Sequence, residues 1–140
     1  MSEIILGVGG GIAAYKSCDL LRRLPDLGPT VKVVPPPASL TFVGKATWEA
    51  LSGSPVYTEV WEAVDQVNHV KLGDHAEYII IAPATADLIA RLSSGRADDQ
   101  SIYIMNRRIA QFKNETMPLI LSRCTFSKTY ASGSPTASSL

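Results

Sequence analysis

Short apolar runs alternate with longer segments in which apolar and charged residues mix. The runs are residues 4–8 (IILGV), 31–34 (VKVV), 56–60 (VYTEV), 78–82 (YIIIA) and 117–121 (MPLIL). Each has strand length and is bounded by glycine, proline or polar residues. YIIIA has no polar face, as expected of a strand covered on both sides. Between the first two runs, Ile12, Leu20, Leu21 and Leu24 alternate with Lys16, Asp19, Arg22 and Arg23. This pattern predicts an amphipathic helix over 12–24, closed by Pro25. Residues 45–51 predict a short helix with Trp48 and Leu51 inward, stopped near Gly53. Thr85 is placed to cap a helix carrying Leu88, Ile89 and Leu92, which Gly95 ends; Asp98 is placed to cap another over about 101–112. Pro35, Pro36 and Pro37 must end the second strand, since proline donates no ladder hydrogen bond. Strands alternating with helices predict an α/β fold, a parallel sheet with helices on both faces.

The polar end of the chain reads differently. Residues 122–140 are rich in serine and threonine and show no periodicity, so burial cannot offset the entropy of ordering them, and a loose tail is expected. The remaining 121 residues suit one domain. Overall, 46% of residues are hydrophobic and 19% charged, and thirteen basic residues balance thirteen acidic ones. That balance gives no basic stripe for nucleic acid and no polybasic patch for a membrane surface. Cys18 and Cys124 have no partner at metal-ligand spacing, so neither a metal site nor a disulfide framework is expected. With no apolar run near 18 residues and an acid at Glu3 where a leader would be basic, the expected compartment is a reducing cytoplasm.

Candidate chemistry lies where the strands end. In open α/β sheets ligands bind outside the carboxyl ends of the strands. Three such ends are suitable: Gly9 to Ala13, the loop from Pro35 to Phe42, and Pro83 to Asp87. The first joins a strand to a helix through Gly9, Gly10 and Gly11, presenting backbone N–H groups to an anion where the helix dipole favours one. GGGIAA fits the dinucleotide pattern G-x-G-x-x-A loosely, but the NAD reading needs an acid at the end of the second strand, and Val34-Pro35-Pro36-Pro37 stands there. A P-loop would need Gly-Lys-Ser/Thr, which is absent from this loop. A mononucleotide fits better than either.

Three stretches in order resemble the flavin-dependent cysteine decarboxylases, whose members include phosphopantothenoylcysteine decarboxylases and peptidyl-cysteine decarboxylases. They are GVGGGIAAYKSCDLLRRL, SLTFVGKATWEALSGSPVYTEVWE and VNHVKLGDHAEYIIIAPATADLIARLSSGRADD. The last carries the family's N-H-x-x-L, A-P-A-[ST]-A and G-x-A-D-[DN] signatures, and the match covers roughly residues 4–99. The resemblance implies a flavodoxin-like three-layer sandwich that binds FMN and assembles as homotrimers with the flavin at subunit contacts. It places Gly10, Gly11, Ile12 and Ala13 around the phosphate, Ser39 and Phe42 beside them, and Thr85, Ala86 and Asp87 along the flavin, on the loop that Pro83 and Ala84 begin. It makes His69 the catalytic residue. An imidazole titrating near pH 6.5 suits a general base. The implied reaction is decarboxylation of 4'-phosphopantothenoylcysteine to 4'-phosphopantetheine in coenzyme A biosynthesis, through flavin oxidation of the cysteine side chain to a thioaldehyde. His75 matches no catalytic position and is expected at the surface.

The chain also departs from this family. Gly9 stands where a serine or threonine is usual, and Pro36 likewise, removing two hydroxyls and one backbone donor from the expected phosphate site. After MPLIL the family's P-A-M-N-x-x-M-W is replaced by SRCTFSKTY, and its cysteine-bearing flap has no counterpart. The expected organisation is therefore an FMN-binding domain over 1–121, incomplete at its C-terminal end, followed by the tail. The alternatives are a catalytically inactive FMN-binding homologue or regulatory subunit, and a flavin prenyltransferase, which has similar loops but lacks the N-H-x-x-L histidine.

Overall fold

The computed structural model describes residues 2–56, 58, 75–111 and 119–121 of the chain. Four parallel strands, β1 (Glu3–Gly7), β2 (Thr30–Val34), β3 (Tyr78–Ile81) and β4 (Leu119–Leu121), form one sheet in the order β2-β1-β3-β4. Register is in step along the shared edges: Leu6 lies beside Val33 on one side and Ile80 on the other, and Ile80 beside Ile120. The helices are α1 (Ala14–Arg23), α2 (Lys45–Ser52), α3 (Ala86–Ser93) and α4 (Gln100–Gln111). Short 3₁₀ turns at Pro25–Leu27 and Pro37–Thr41 follow α1 and β2.

The two-residue period of the strands divides the core in two. Ile4, Leu6 and Val8 join Val31, Val33 and Ile80 on one face, beneath Ala14 and Leu21 of α1 and Trp48 of α2. Ile5, Ile79 and Ile81 point to the other face, beneath Leu88 of α3 and Ile102, Ile104 and Met105 of α4. Ile5, Leu6, Ile79 and Ile81 are all fully buried, each adding about 1.5–3 kcal/mol relative to exposure. This is the three-layer arrangement expected from the sequence. Gly7 lets α4 approach the sheet: a Cβ there would stand 2.6 Å from the Met105 sulfur.

Several predicted boundaries shift. Helix α1 begins at Ala14, not at residue 12, and Ile12 is exposed in the turn before it. The buried stripe of α1 is Ala14, Ser17 and Leu21, with Leu20 and Leu24 partly buried beside it. Helix α2 places Trp48 fully inside, where its indole N–H donates to the Val43 carbonyl at 3.1 Å, and ends on left-handed Gly53. Thr85 caps α3 as predicted, its Oγ1 accepting the Leu88 N–H at 3.3 Å. The cap of α4 is Asp99 rather than Asp98: Asp99 Oδ1 accepts the Ile102 N–H at 3.0 Å, while Asp98 pairs with Arg96 in the preceding turn. Val56 is buried and Thr58 nearly so, but neither is in a strand, and the rest of the predicted run 56–60 lies outside the described residues. Also outside them are His69, the start of the run 117–121, Cys124 and the whole of 122–140.

Candidate functional site

Strand β1 connects through α1 to β2 on one side, while β3 pairs with β1 on the other. The strand order therefore reverses between β1 and β3, and the crevice outside their carboxyl ends is the expected ligand position. The loop after β1 carries Gly9, Gly10, Gly11, Ile12 and Ala13; the loop after β3 carries Ala82, Pro83, Ala84 and Thr85. These two loops are in contact. The Gly9 N–H donates to the Pro83 carbonyl at 3.0 Å, and the Ala82 N–H donates to the Gly7 carbonyl at 2.9 Å. A Cβ on Gly9 would collide with the Pro83 carbonyl oxygen and lie 2.9 Å from Thr85 Cγ2. Gly9 is thus the residue that lets the first and third loops meet.

The second loop closes on the same point. A Cβ on Gly10 would lie 2.8 Å from Ala38 Cβ, and one on Gly11 3.5 Å from Thr85 Cγ2. Gly10 is exposed, Ala38 is exposed, and Thr85 is half-buried, so the three loops rim one opening. Helix α1 starts at this rim with no side-chain cap at Ala13. Ala14 donates to Gly11, but among the described residues the N–H groups of Gly10, Gly11, Ile12 and Ala13 have no observed acceptor. Backbone donors without an acceptor at a helix N-terminus suit a phosphate.

The other predicted residues fall into distinct roles. Ser39 is fully buried; its hydroxyl donates to the Pro36 carbonyl at 2.8 Å and its backbone N–H to the same oxygen at 2.9 Å. It shapes the second loop from inside instead of presenting its hydroxyl at the rim. Phe42, 49% exposed, Ile12, 68% exposed, and Tyr15, 55% exposed, are large apolar side chains left open to solvent. Pro83 and Ala84 are buried and fix the third loop, with a cis peptide between Ala82 and Pro83, whereas Ala86 and Asp87 are exposed at the start of α3. Thr85 Oγ1 accepts its cap bond and keeps its own O–H free to donate. His75 is exposed, as expected.

Sequence reasoning missed the polar frame behind the rim. Arg91 of α3 bridges two acids: its Nε lies 3.1 Å from Asp87 Oδ2 and its Nη1 2.8 Å from Asp99 Oδ2. Burial alone would lower the Arg91 pKa, but the hydrogen bond and charge of Asp99, with those of Asp87, raise it. The G-x-A-D-[DN] signature thus ends in a residue that caps α4 and anchors α3. The Arg108 Nε donates to the Ala76 carbonyl at 2.7 Å, tying α4 to the chain before β3. The Ser17 hydroxyl donates to the Ala82 carbonyl at 2.5 Å. A serine within an otherwise apolar stripe was the available signal for this last contact.

The sequence matches the Flavoprotein family over residues 1–132. The chain belongs to that family. It is 56% identical over 97 residues to the coenzyme A biosynthesis bifunctional protein CoaBC of Mycolicibacterium smegmatis, covering 69% of this chain and 23% of that protein. The chain therefore spans about a quarter of the length of the curated relatives it matches. Among solved structures it resembles the FMN-dependent cysteine decarboxylase TvaF of thioviridamide biosynthesis, with a TM-score of 0.75 at 20% identity over 94% of this chain and 78% of that one. It also resembles a PPC decarboxylase variant complexed with pantothenoylaminoethenethiol, with a TM-score of 0.66 at 22% identity over 84% and 64% of the two chains. These likenesses bear out the flavodoxin-like fold expected from the sequence.

Proposed function

We propose that this chain is an FMN-dependent decarboxylase of 4'-phosphopantothenoylcysteine, acting in coenzyme A biosynthesis, with residues 1–121 as its functional unit. The observation that carries the reading is the meeting of three loops at the switch point, around bare donors at the start of α1 and with no acid at the end of β2. A mononucleotide phosphate fits that arrangement, and a dinucleotide lacks its ribose partner. Support also comes from relatives named for coenzyme A biosynthesis and a structural neighbour named as a PPC decarboxylase. The same names disfavour the prenyltransferase and inactive-subunit readings.

In this reading Gly10, Gly11, Ile12 and Ala13 hold the phosphate through backbone N–H groups. Thr85, Ala86 and Asp87 line the flavin, on a loop fixed by Pro83 and Ala84. Ser39 holds the second loop in shape and Phe42 covers its edge. Bound FMN would supply reversible two-electron chemistry at the substrate's cysteine side chain, making the neighbouring carboxylate labile. Overall, carbon dioxide leaves and a proton takes its place. His69, outside the described residues, is the group proposed to move protons at the reacting cysteine. Exposed Ile12, Tyr15 and Phe42 favour self-association, which we read as a homotrimer working in the cytoplasm.

The test is direct. Purified protein incubated with FMN should retain visible flavin absorbance and release carbon dioxide from 4'-phosphopantothenoylcysteine. His69→Asn should abolish release while flavin stays bound. A colourless protein would overturn the cofactor assignment, and a yellow protein without turnover would overturn the assignment as an enzyme.

A further inference from the structure

Ser17 occupies a position that helix formation and packing do not explain. It lies in the buried stripe of α1 between Ala14 and Leu21, and is only 3% exposed. Serine is a poorer helix former than alanine, and a buried hydroxyl is costly unless it is hydrogen-bonded. Its partner is 65 residues away in sequence: the Ala82 carbonyl, which the Ser17 Oγ reaches at 2.5 Å. Ala82 lies one residue beyond the last register pair of β3, Ile81 with Leu121, and is itself buried.

Among the described residues, three observed hydrogen bonds join the third loop to the β1–α1 unit. Two are backbone contacts, Ala82 N–H to Gly7 and Gly9 N–H to Pro83. The bond from Ser17 is the side-chain contact of the three, and it reaches from the body of α1 to that loop. The uncapped start of α1 lies one turn before Ser17, and Thr85 lies three residues after Ala82.

We propose that Ser17 is a positioning residue that sets the spacing between the phosphate cradle at the start of α1 and the third loop. This rests on the flavin reading above. A ligand held at both ends depends on that spacing, whereas a ligand held at one end does not. FMN engages both the cradle and the third loop; riboflavin, which has no phosphate, engages only the third loop. Ser17 therefore matters for the first and hardly at all for the second.

The experiment measures FMN and riboflavin affinity by fluorescence titration, well below the unfolding midpoint, for wild type, Ser17→Ala and Ser17→Thr, with apoprotein melting curves in parallel. Ser17→Ala should weaken FMN binding by about three- to tenfold, the range of one hydrogen bond, and riboflavin binding by less than about twofold. Ser17→Thr, which keeps the hydroxyl, should restore FMN affinity to within about twofold of wild type. Unchanged FMN affinity in a Ser17→Ala protein with a lowered midpoint would reduce Ser17 to satisfying a buried carbonyl, and the proposal would fall. Equal losses for both flavins would also overturn it, since they would mean general loosening. Wild-type protein that binds neither flavin would remove the flavin reading and this inference together, a failure visible before any variant is compared.

Discussion

The backbone N–H of Gly9 donates to the carbonyl of Pro83, and a side chain at Gly9 would run into that same carbonyl. One atom pair thus joins the loops after β1 and β3 in a geometry that leaves no room for a Cβ. The sequence alone treats Gly9 as a lost phosphate hydroxyl; the packing gives it a different meaning, a close approach bought by having no Cβ. Gly9→Ala should therefore destabilise the apoprotein by about 1–3 kcal/mol, the usual cost of overpacking. Urea denaturation without flavin measures it, and an unchanged midpoint would show that the loops separate freely.

Adjacent acids at the start of α4 should differ sharply. Asp99 caps α4 and receives Arg91 with both side chains largely buried, Asp99 11% and Arg91 18% exposed, whereas Asp98 pairs with Arg96 in the open. Asp99→Ala removes a cap worth about 1 kcal/mol and leaves Arg91 short of one partner, so a total loss of about 2–3 kcal/mol is expected. Asp98→Ala should cost less than about 1 kcal/mol, as for other exposed pairs. Equal losses would reassign the cap.

Burial pushes the Cys18 thiol pKa up, and the nearby Arg22 charge offsets this only in part. The folded protein thus holds its proton to higher pH than the unfolded chain, whose thiol ionises near about 8.5. Stability contributed by the protonated thiol is complete below that value and is lost as pH rises toward the folded pKa. Stability should decline above about pH 8.5, and Cys18→Ala should lessen the decline. Denaturation midpoints between pH 7 and 10, compared for the two proteins, check the sign; parallel profiles would remove Cys18 as a cause.

The sheet was legible because a two-residue period is a local property. Ile4 and Leu6 against Ile5, and the uniform YIIIA run, already imply two covered faces. The glycine turn and the Thr85 cap were legible for the same reason: each follows from residues within a few positions. The contacts that hold the site together were not, because they join distant segments. Nothing near Ser17 points to Ala82, and nothing near Gly9 points to Pro83. Neighbouring Asp98 and Asp99 are chemically equivalent in a string, and only the turn around Arg96 distinguishes them. Ile12 satisfied the helical period yet lies outside the helix, because the turn through Ile12 and Ala13 delays its start to Ala14.

Thr85 offers a way to separate folding from ligand binding. Its Oγ1 caps α3, while its Cγ2 faces Gly11 at the cradle, where a Cβ would lie 3.5 Å away. Asp caps a helix N-terminus at least as well as Thr and favours the positive end of the dipole. Thr85→Asp should therefore preserve or slightly raise apoprotein stability, but it puts a negative charge beside the proposed phosphate position. Two unit charges repel by about 4 kcal/mol at about 4 Å and by about 2 kcal/mol at about 8 Å at the effective dielectric of a protein surface, so FMN affinity should fall by more than about tenfold. Thr85→Ser keeps the cap oxygen without the charge and should bind FMN within about tenfold of wild type. Melting curves and flavin titrations on the same samples decide the matter. If Thr85→Asp keeps both its stability and its FMN affinity, the phosphate does not sit against this face of the first loop.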